Sequence, residues 1–174
     1  MSKFRDGSLG PVVILFAICL VITLALAFVY NLTAPAIAAA EIKAADDARM
    51  AVLGGAGSFT KIEADLPDGV TEAYKADNGA GYVFTSEANG FGGAVVYMIG
   101  VDAQGGVTGI QVFSHVETPG LGTKVADPDY LANYFGATDP DSVDAVTGAT
   151  RTTNSLKNAL KQARQAFDIV KGAA

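Results

Sequence analysis

One short stretch of this sequence holds hydroxyls, a carboxylate and very little bulk. Asp144-Ala145-Val146-Thr147-Gly148-Ala149-Thr150 ends where a segment with helical patterning begins. A helix start presents unpaired backbone N–H groups and a partial positive charge, which suits a phosphate. Gly148 and Ala149 leave room for a bulky group to approach the backbone, and Asp144 supplies a carboxylate able to steer a metal-bound reagent towards a hydroxyl. A threonine hydroxyl is a weak nucleophile until something activates it. Neither His nor Cys lies nearby in sequence, so the pattern reads as a site modified by another enzyme rather than a catalytic one. Taken alone, Thr-Gly-Ala-Thr is also what a small-residue turn capping a helix looks like.

A second block lies upstream: His115-Val116-Glu117-Thr118-Pro119-Gly120-Leu121-Gly122. By itself it is equally a Pro-Gly connection between elements. Together and in this order, the two blocks resemble the ETPGLG segment and the Asp-x-x-Thr-Gly-Ala-Thr acceptor motif of the FMN-binding domains in the ion-pumping Rnf and Nqr membrane complexes. The resemblance is to the Rnf G subunits, related to the Nqr C subunits, and it covers most of the chain; 41–77 carries little that is diagnostic.

That resemblance implies FMN joined through its phosphate to Thr150 by a flavin transferase. Asp144 would assist recognition by the transferase, and Thr147, Gly148 and Ala149 would shape the acceptor loop. Thr147 stands where serine is common, a change that keeps the hydroxyl. Glu117 and Thr118 are expected to contact the flavin ring, with Gly120, Leu121 and Gly122 allowing close backbone approach. Thr152, Thr153 and Ser155 offer further hydroxyls to the phosphate, or are simply exposed residues at a helix start. His115 either hydrogen-bonds near the flavin or is a structural histidine at a strand end. The implied activity is that of an electron relay among the other subunits of a membrane complex, which couples ferredoxin–NAD⁺ electron transfer to Na⁺ or H⁺ movement. The alternatives are an Nqr C-type subunit or other tethered FMN carrier, and an anchored binding or assembly module without flavin. No catalytic or metal-ligating residue is assigned.

Those motifs need an element to carry them, and composition supplies a membrane anchor first. Among 174 residues, 50% are hydrophobic, but no charged side chain occurs from Gly7 to Ala40, and Val12–Tyr30 is almost purely apolar. At about 1.5 Å per residue such a helix matches a hydrocarbon core roughly 30 Å thick. A cleavable signal peptide is the competing reading, since Ala38 and Ala40 imitate a cleavage site, although its apolar core is usually only about 7–15 residues. Lys3 and Arg5, opposed only by Asp6, precede the apolar run, and no charge follows it until Glu41. The positive-inside rule then places the N-terminus in the cytoplasm and the bulk of the chain outside.

Residues 1–40 carry two basic and one acidic side chain, so the overall net charge of −6 leaves −7 on the remainder. Such a surface repels nucleic acid and anionic headgroups. The single cysteine, Cys19, sits in the apolar run, so the remainder has neither a disulfide nor its own cysteine-ligated cluster. Cys19 reads as a small buried hydrophobe or, more sharply, as a cluster ligand shared with a partner. Redox work by this chain requires an organic cofactor.

The expected organisation is a cytoplasmic terminus over 1–10, a transmembrane helix over 11–32, a juxtamembrane helix over 33–55 and an FMN-binding domain over 56–174. Pro35 either starts the second helix or kinks one continuous helix. Strands are predicted at Val70–Lys75, Tyr82–Glu87, Ala94–Val101 and Val107–Phe113, which are rich in aromatic or β-branched residues and separated by glycine-rich turns. Turns this short favour antiparallel hairpins. A short helix is expected over Asp127–Phe135, a strand over Ser142–Val146 and a final helix from about Thr152 to Val170. The apolar face of that helix is Leu156, Leu160, Ala163, Phe167 and Val170, opposite Lys157, Lys161, Arg164 and Lys171. Tyr82, Phe84, Phe91, Tyr97 and Phe113 read as sheet packing. The fold class is α+β, an antiparallel sheet with helices packed on it.

Overall fold

A computed structural model describes residues 9–137 and 139–172. The basic and acidic residues that flank the apolar run on its N-terminal side, Lys3, Arg5 and Asp6, lie outside the described residues. The chain divides into two compact units, Met1–Ala44 and Ala45–Ala174.

In the first unit, the described residues are helical and belong to α1, which runs Leu9–Val52 with Pro35 inside it. Of the two readings of Pro35, the continuous helix is therefore the one found. Proline removes one backbone donor, and just before it the Thr33 hydroxyl donates to the carbonyls of Val29 and Tyr30 at 3.0 and 3.3 Å. The apolar side chains from Val12 to Tyr30 stand exposed all round the helix, Cys19 among them. A helix that is apolar on every side needs an apolar surrounding, and this one is long and apolar enough to cross a membrane.

The second unit is built on a five-stranded antiparallel sheet in simple sequential order. Its strands are β1 (Phe59–Lys61), β2 (Val70–Ala76), β3 (Gly81–Asn89), β4 (Ala94–Asp102) and β5 (Val107–Ser114). The four predicted strands are present, and β1 is an additional three-residue edge strand. It is too short for any alternation to be seen in sequence. Its neighbourhood is fixed by Asp77, whose carboxylate accepts from the Ser58 and Thr60 hydroxyls.

Both faces of the sheet are covered. On one lies α3 (Thr150–Gly172), whose Leu156, Ala159, Leu160, Ala163, Ala166, Phe167 and Val170 pack on Phe84, Val95, Tyr97, Ile99 and Val101. The spacing of three and four residues puts these side chains on one stripe of the helix, and the alanines let the backbone come close to the sheet. On the other face Ala48 and Val52 from the final turns of α1, with Leu53 just after it, pack on Ala76, Val83 and Met98. A pair of cross-strand glycines, Gly100 and Gly109, makes this seat. A Cβ at Gly100 would stand 2.2 Å from the Val52 carbonyl oxygen, and one at Gly109 would stand 2.5 Å from it. The same carbonyl accepts from the Thr108 hydroxyl at 2.8 Å.

Between β5 and α3 the chain is irregular. A 3₁₀ turn spans Gly122–Ala126, then α2 (Pro128–Leu131) continues into a second 3₁₀ turn at Ala132–Tyr134. The strand expected over Ser142–Val146 is not formed; a 3₁₀ turn occupies Pro140–Ser142 and the following residues pair with no strand. Side chains take the place of a ladder there. The Tyr130 hydroxyl donates to the Asp144 carbonyl, and the Val146 N–H donates to the Thr153 hydroxyl oxygen. Val143 and Val146, which suggested the strand, are half-buried against the α3-side core. The final helix also begins two residues earlier than expected, at Thr150.

Candidate functional site

The stretch Asn89-Gly90-Phe91-Gly92-Gly93 links β3 to β4 and lies backbone to backbone against the first motif. A Cβ at Gly92 would come within 2.3 Å of the Val116 carbonyl oxygen. Phe91, in this turn, is 72% exposed. Phe113 is 40% exposed. The expectation that both are sheet packing is therefore corrected, whereas Phe84 and Tyr97 are fully buried in the core.

The segment 115–122 leaves β5 and folds over that turn. The Glu117 N–H donates to His115 Nδ1 at 3.2 Å, so His115 has a structural partner in its own loop. Gly120 adopts a left-handed φ of 75°, open to glycine at no steric cost, and its N–H donates to the Thr123 hydroxyl at 2.9 Å. The turn at Thr147-Gly148 is similar, with φ of 81° at Gly148. It brings the second motif against the first: a Cβ on Gly148 would stand 2.9 Å from Leu121 Cδ1.

Between these segments is an open cleft of about 220 Å³. Glu117, Thr118, Leu121 and Gly122 line it from the first motif, and Gly148 and Ala149 from the second. Phe91, Arg151 and Thr152 complete it. Thr150, exposed, is the first residue of α3 and lies between two cleft-lining neighbours in the chain. Thr147, Asp144 and Gly120 are exposed but do not line the cleft; Asp144 belongs to a separate concavity with Tyr130 and Asn133.

Glu117 is only 7% exposed. One carboxylate oxygen accepts from the Phe91 and Gly92 N–H groups at 2.8 and 3.1 Å, and the other from the Thr152 hydroxyl at 2.9 Å. The expected ring contact thus finds its oxygens already engaged by the protein. The three hydroxyls at the start of α3 are not the exposed groups expected either. Thr152, Thr153 and Ser155 are buried, and each has an internal partner. Ser155 donates to the Thr152 carbonyl and meets the Tyr97 hydroxyl. Burial pushes the Tyr97 phenol up to about 12, against the pull of its Ser155 hydrogen bond.

Neither Phe91 nor Arg151 is picked out as a site residue by sequence. A signal for Phe91 is present there: a large aromatic flanked by glycines in a hairpin connection has little core to enter. Arg151 carries no signal beyond its place in the first turn of α3, where a cation is disfavoured by the helix dipole unless an anion is near.

The cleft's makeup suits FMN in two respects. The helix start and Arg151 offer positive potential to a phosphate, and the exposed Phe91 and Leu121 offer apolar surface to a flat ring. Sites that engulf their ligands run to roughly 300–1,000 Å³, so this smaller cleft would hold part of the cofactor and leave the rest outside.

Comparison with known proteins follows the same lines. Residues 90–165, which include the Phe91 turn, both motifs and most of α3, match the FMN-binding domain family. The chain is 26% identical over 159 residues to the G subunit of the proton-translocating ferredoxin:NAD(+) oxidoreductase complex of Clostridium ljungdahlii, with 83% of each chain covered. It is 30% identical over 123 residues to the G subunit of an ion-translocating oxidoreductase complex from Cereibacter sphaeroides, covering 60% of this chain and 56% of that one. The corresponding G subunit from Cronobacter sakazakii is 33% identical over 107 residues. The chain spans about half the length of these last two relatives. In fold, it is similar to the crystal structure of Shewanella oneidensis NqrC, with a TM-score of 0.51 and 23% identity over 74% of this chain and 75% of that one. Residues 90–165 thus match the FMN-binding domain family, in a chain similar to the G subunits of ion-translocating oxidoreductase complexes.

Proposed function

We propose that this chain is a membrane-anchored electron relay of an Rnf-type complex, carrying FMN as a phosphoester on Thr150. The observation that carries the reading is one cleft lined by both motifs, with Thr150 at a helix start between Ala149 and Arg151, which line it. The flavin, when bound, supplies reversible uptake and release of electrons. The chain's own residues tether, orient and partly cover it. A flavin transferase would join Thr150 Oγ to the flavin-side phosphorus of a flavin dinucleotide, breaking its pyrophosphate bond so that the nucleoside monophosphate leaves and the hydroxyl proton is released. The first N–H groups of α3 and Arg151 balance the phosphate charge, while Gly148 keeps the approach to the backbone clear. Phe91 and Leu121 would offer apolar surface to the ring, in a cleft open enough to leave it accessible to electron-transfer partners. An open site of this size holds a free cofactor weakly, and a covalent tether fixes its effective concentration instead.

In this reading the partners are the other subunits of the complex, which couples ferredoxin–NAD⁺ electron transfer to Na⁺ or H⁺ movement. The N-terminus lies in the cytoplasm and the acidic domain outside, over 1–10 and 56–174 respectively, with 11–32 in the membrane and 33–55 next to it. Likeness in fold to NqrC keeps an Nqr C-type role as the second reading.

Thr150→Ala tests the attachment. Co-expressed with a flavin transferase and separated under denaturing conditions, the native chain is expected to show flavin fluorescence and the variant none. Because Thr150 is exposed, the variant's stability should change by less than about 0.5 kcal/mol. A fluorescent Thr150→Ala chain would place the ester elsewhere, and a dark native chain would favour the flavin-free binding module.

A further inference from the structure

Two charged side chains are buried among the described residues, Arg49 and Glu117. Arg49 is paired: its guanidinium meets Asp46 at 2.6 Å and Glu72 at 3.7 Å, and it lies over the Tyr74 ring. Glu117 has no ion pair among the described residues; its charge is answered only by two backbone N–H groups and one hydroxyl. Removing a carboxylate from water costs several kcal/mol, and charge-assisted hydrogen bonds are the compensation here.

The surroundings are shaped to admit this carboxylate. A Cβ at Gly90 would stand 2.1 Å from one of its oxygens, and a Cβ at Gly122 would stand 2.5 Å from the other. Its three donors come from two segments far apart in sequence, the Phe91 turn and the first turn of α3, separated from Glu117 by 26, 25 and 35 residues. Glu117 is thus the point where all three cleft-forming segments are tied.

We propose that Glu117 is the positioning residue of the cofactor cleft: its carboxylate holds the Phe91 turn and the start of α3 in one frame, so that a flavin tethered at Thr150 meets Phe91 in a single orientation. This rests on the FMN reading above. Glu117 acts through its partners and need not touch the ring. Glutamine can reproduce the pattern, its oxygen accepting from the two N–H groups and its amide donating to Thr152. Alanine cannot.

The test uses the full chain in detergent, with and without a co-expressed flavin transferase. In the flavin-free chain, Glu117→Ala is expected to speed amide hydrogen exchange at 90–93 and 150–153 about ten- to hundredfold, the equivalent of a lost buried hydrogen bond. Glu117→Gln should stay close to the native rates. In the loaded chain, Glu117→Ala should lose most of the visible circular dichroism of the bound flavin while keeping the covalent adduct, and Glu117→Gln should restore it. Thr152→Val cuts one tie only, and should speed exchange at 150–153 but not at 91–92; with Glu117→Gln it carries the test if Glu117→Ala does not fold. Native exchange and native flavin dichroism in Glu117→Ala would overturn the proposal, as would a Gln variant as defective as the Ala variant. Altered exchange in a chain that never takes up flavin would reduce Glu117 to a structural clamp. That result would overturn its cofactor role together with the FMN reading, whereas unaltered exchange in a flavin-loaded chain would overturn the role alone.

Discussion

Thr150 and Thr152 stand two positions apart in the first turn of α3 and meet opposite surroundings. Helix geometry turns residues two apart through about 200°, so when Thr152 enters the core to donate to Glu117, Thr150 is left facing out. Beneath the cleft a polar thread continues inward, the Ser155 hydroxyl donating to the Thr152 carbonyl and meeting the Tyr97 hydroxyl. Tyr97 gives this thread a pH signature. Its phenol is pushed up to about 12 in the folded chain, first by burial, against about 10 unfolded. The folded state therefore holds the neutral form, and this contribution to stability is complete below pH 10 and is lost as pH rises towards 12. By pH 11.5 the loss should be roughly 2 kcal/mol. Urea unfolding at pH 9 and 11.5 checks it: Tyr97→Phe should show a pH dependence smaller by that amount, and an unchanged dependence would contradict the assignment.

At the scale of elements, the sheet is a plate with a different helix on each face, and each seat is made by small residues. Ala159, Ala163 and Ala166 seat α3, while Gly100 and Gly109 seat the end of α1. The second seat leaves no slack, because the atoms opposing an added Cβ belong to the Val52 backbone rather than to a flexible side chain. Gly100→Ala is expected to cost about 1–3 kcal/mol by overpacking, read as a lower urea midpoint with an unchanged slope. A midpoint equal to that of the native chain would show that the α1 end is not held where the structure puts it.

The parts legible in sequence are those in which local pattern and tertiary role agree. Strands β2 to β5 are runs of aromatic and β-branched residues between glycine-rich turns, and α3 repeats its apolar residues every three or four positions, so both can be read directly. The segment 142–146 misleads because Val143 and Val146 do enter the core, but their neighbouring backbone groups are satisfied by Tyr130 and Thr153 side chains rather than a strand. Glu117 is only partly legible. Its type and motif suggest a ligand contact, whereas its partners lie 25 to 35 residues away and cannot be foreseen from spacing. Phe91 is legible only in retrospect, from the glycines on both sides of it.

For the whole molecule, the two units do separate tasks. The first presents an apolar helix able to cross a membrane, and the second places a small open cleft on an acidic domain stiffened by a two-sided core. An open cleft suits an electron relay, which must meet its partners, better than it suits an enzyme that must exclude water from a reacting substrate. The proposed function turns on Thr150 as the point of attachment. Intact-mass analysis of the full chain co-expressed with a flavin transferase, followed by peptide mapping, tests that most directly. The expected result is a gain of one FMN less one water, confined to the peptide containing Thr150. An unmodified mass, in cells where a known acceptor is modified, or an adduct on any other residue would contradict it.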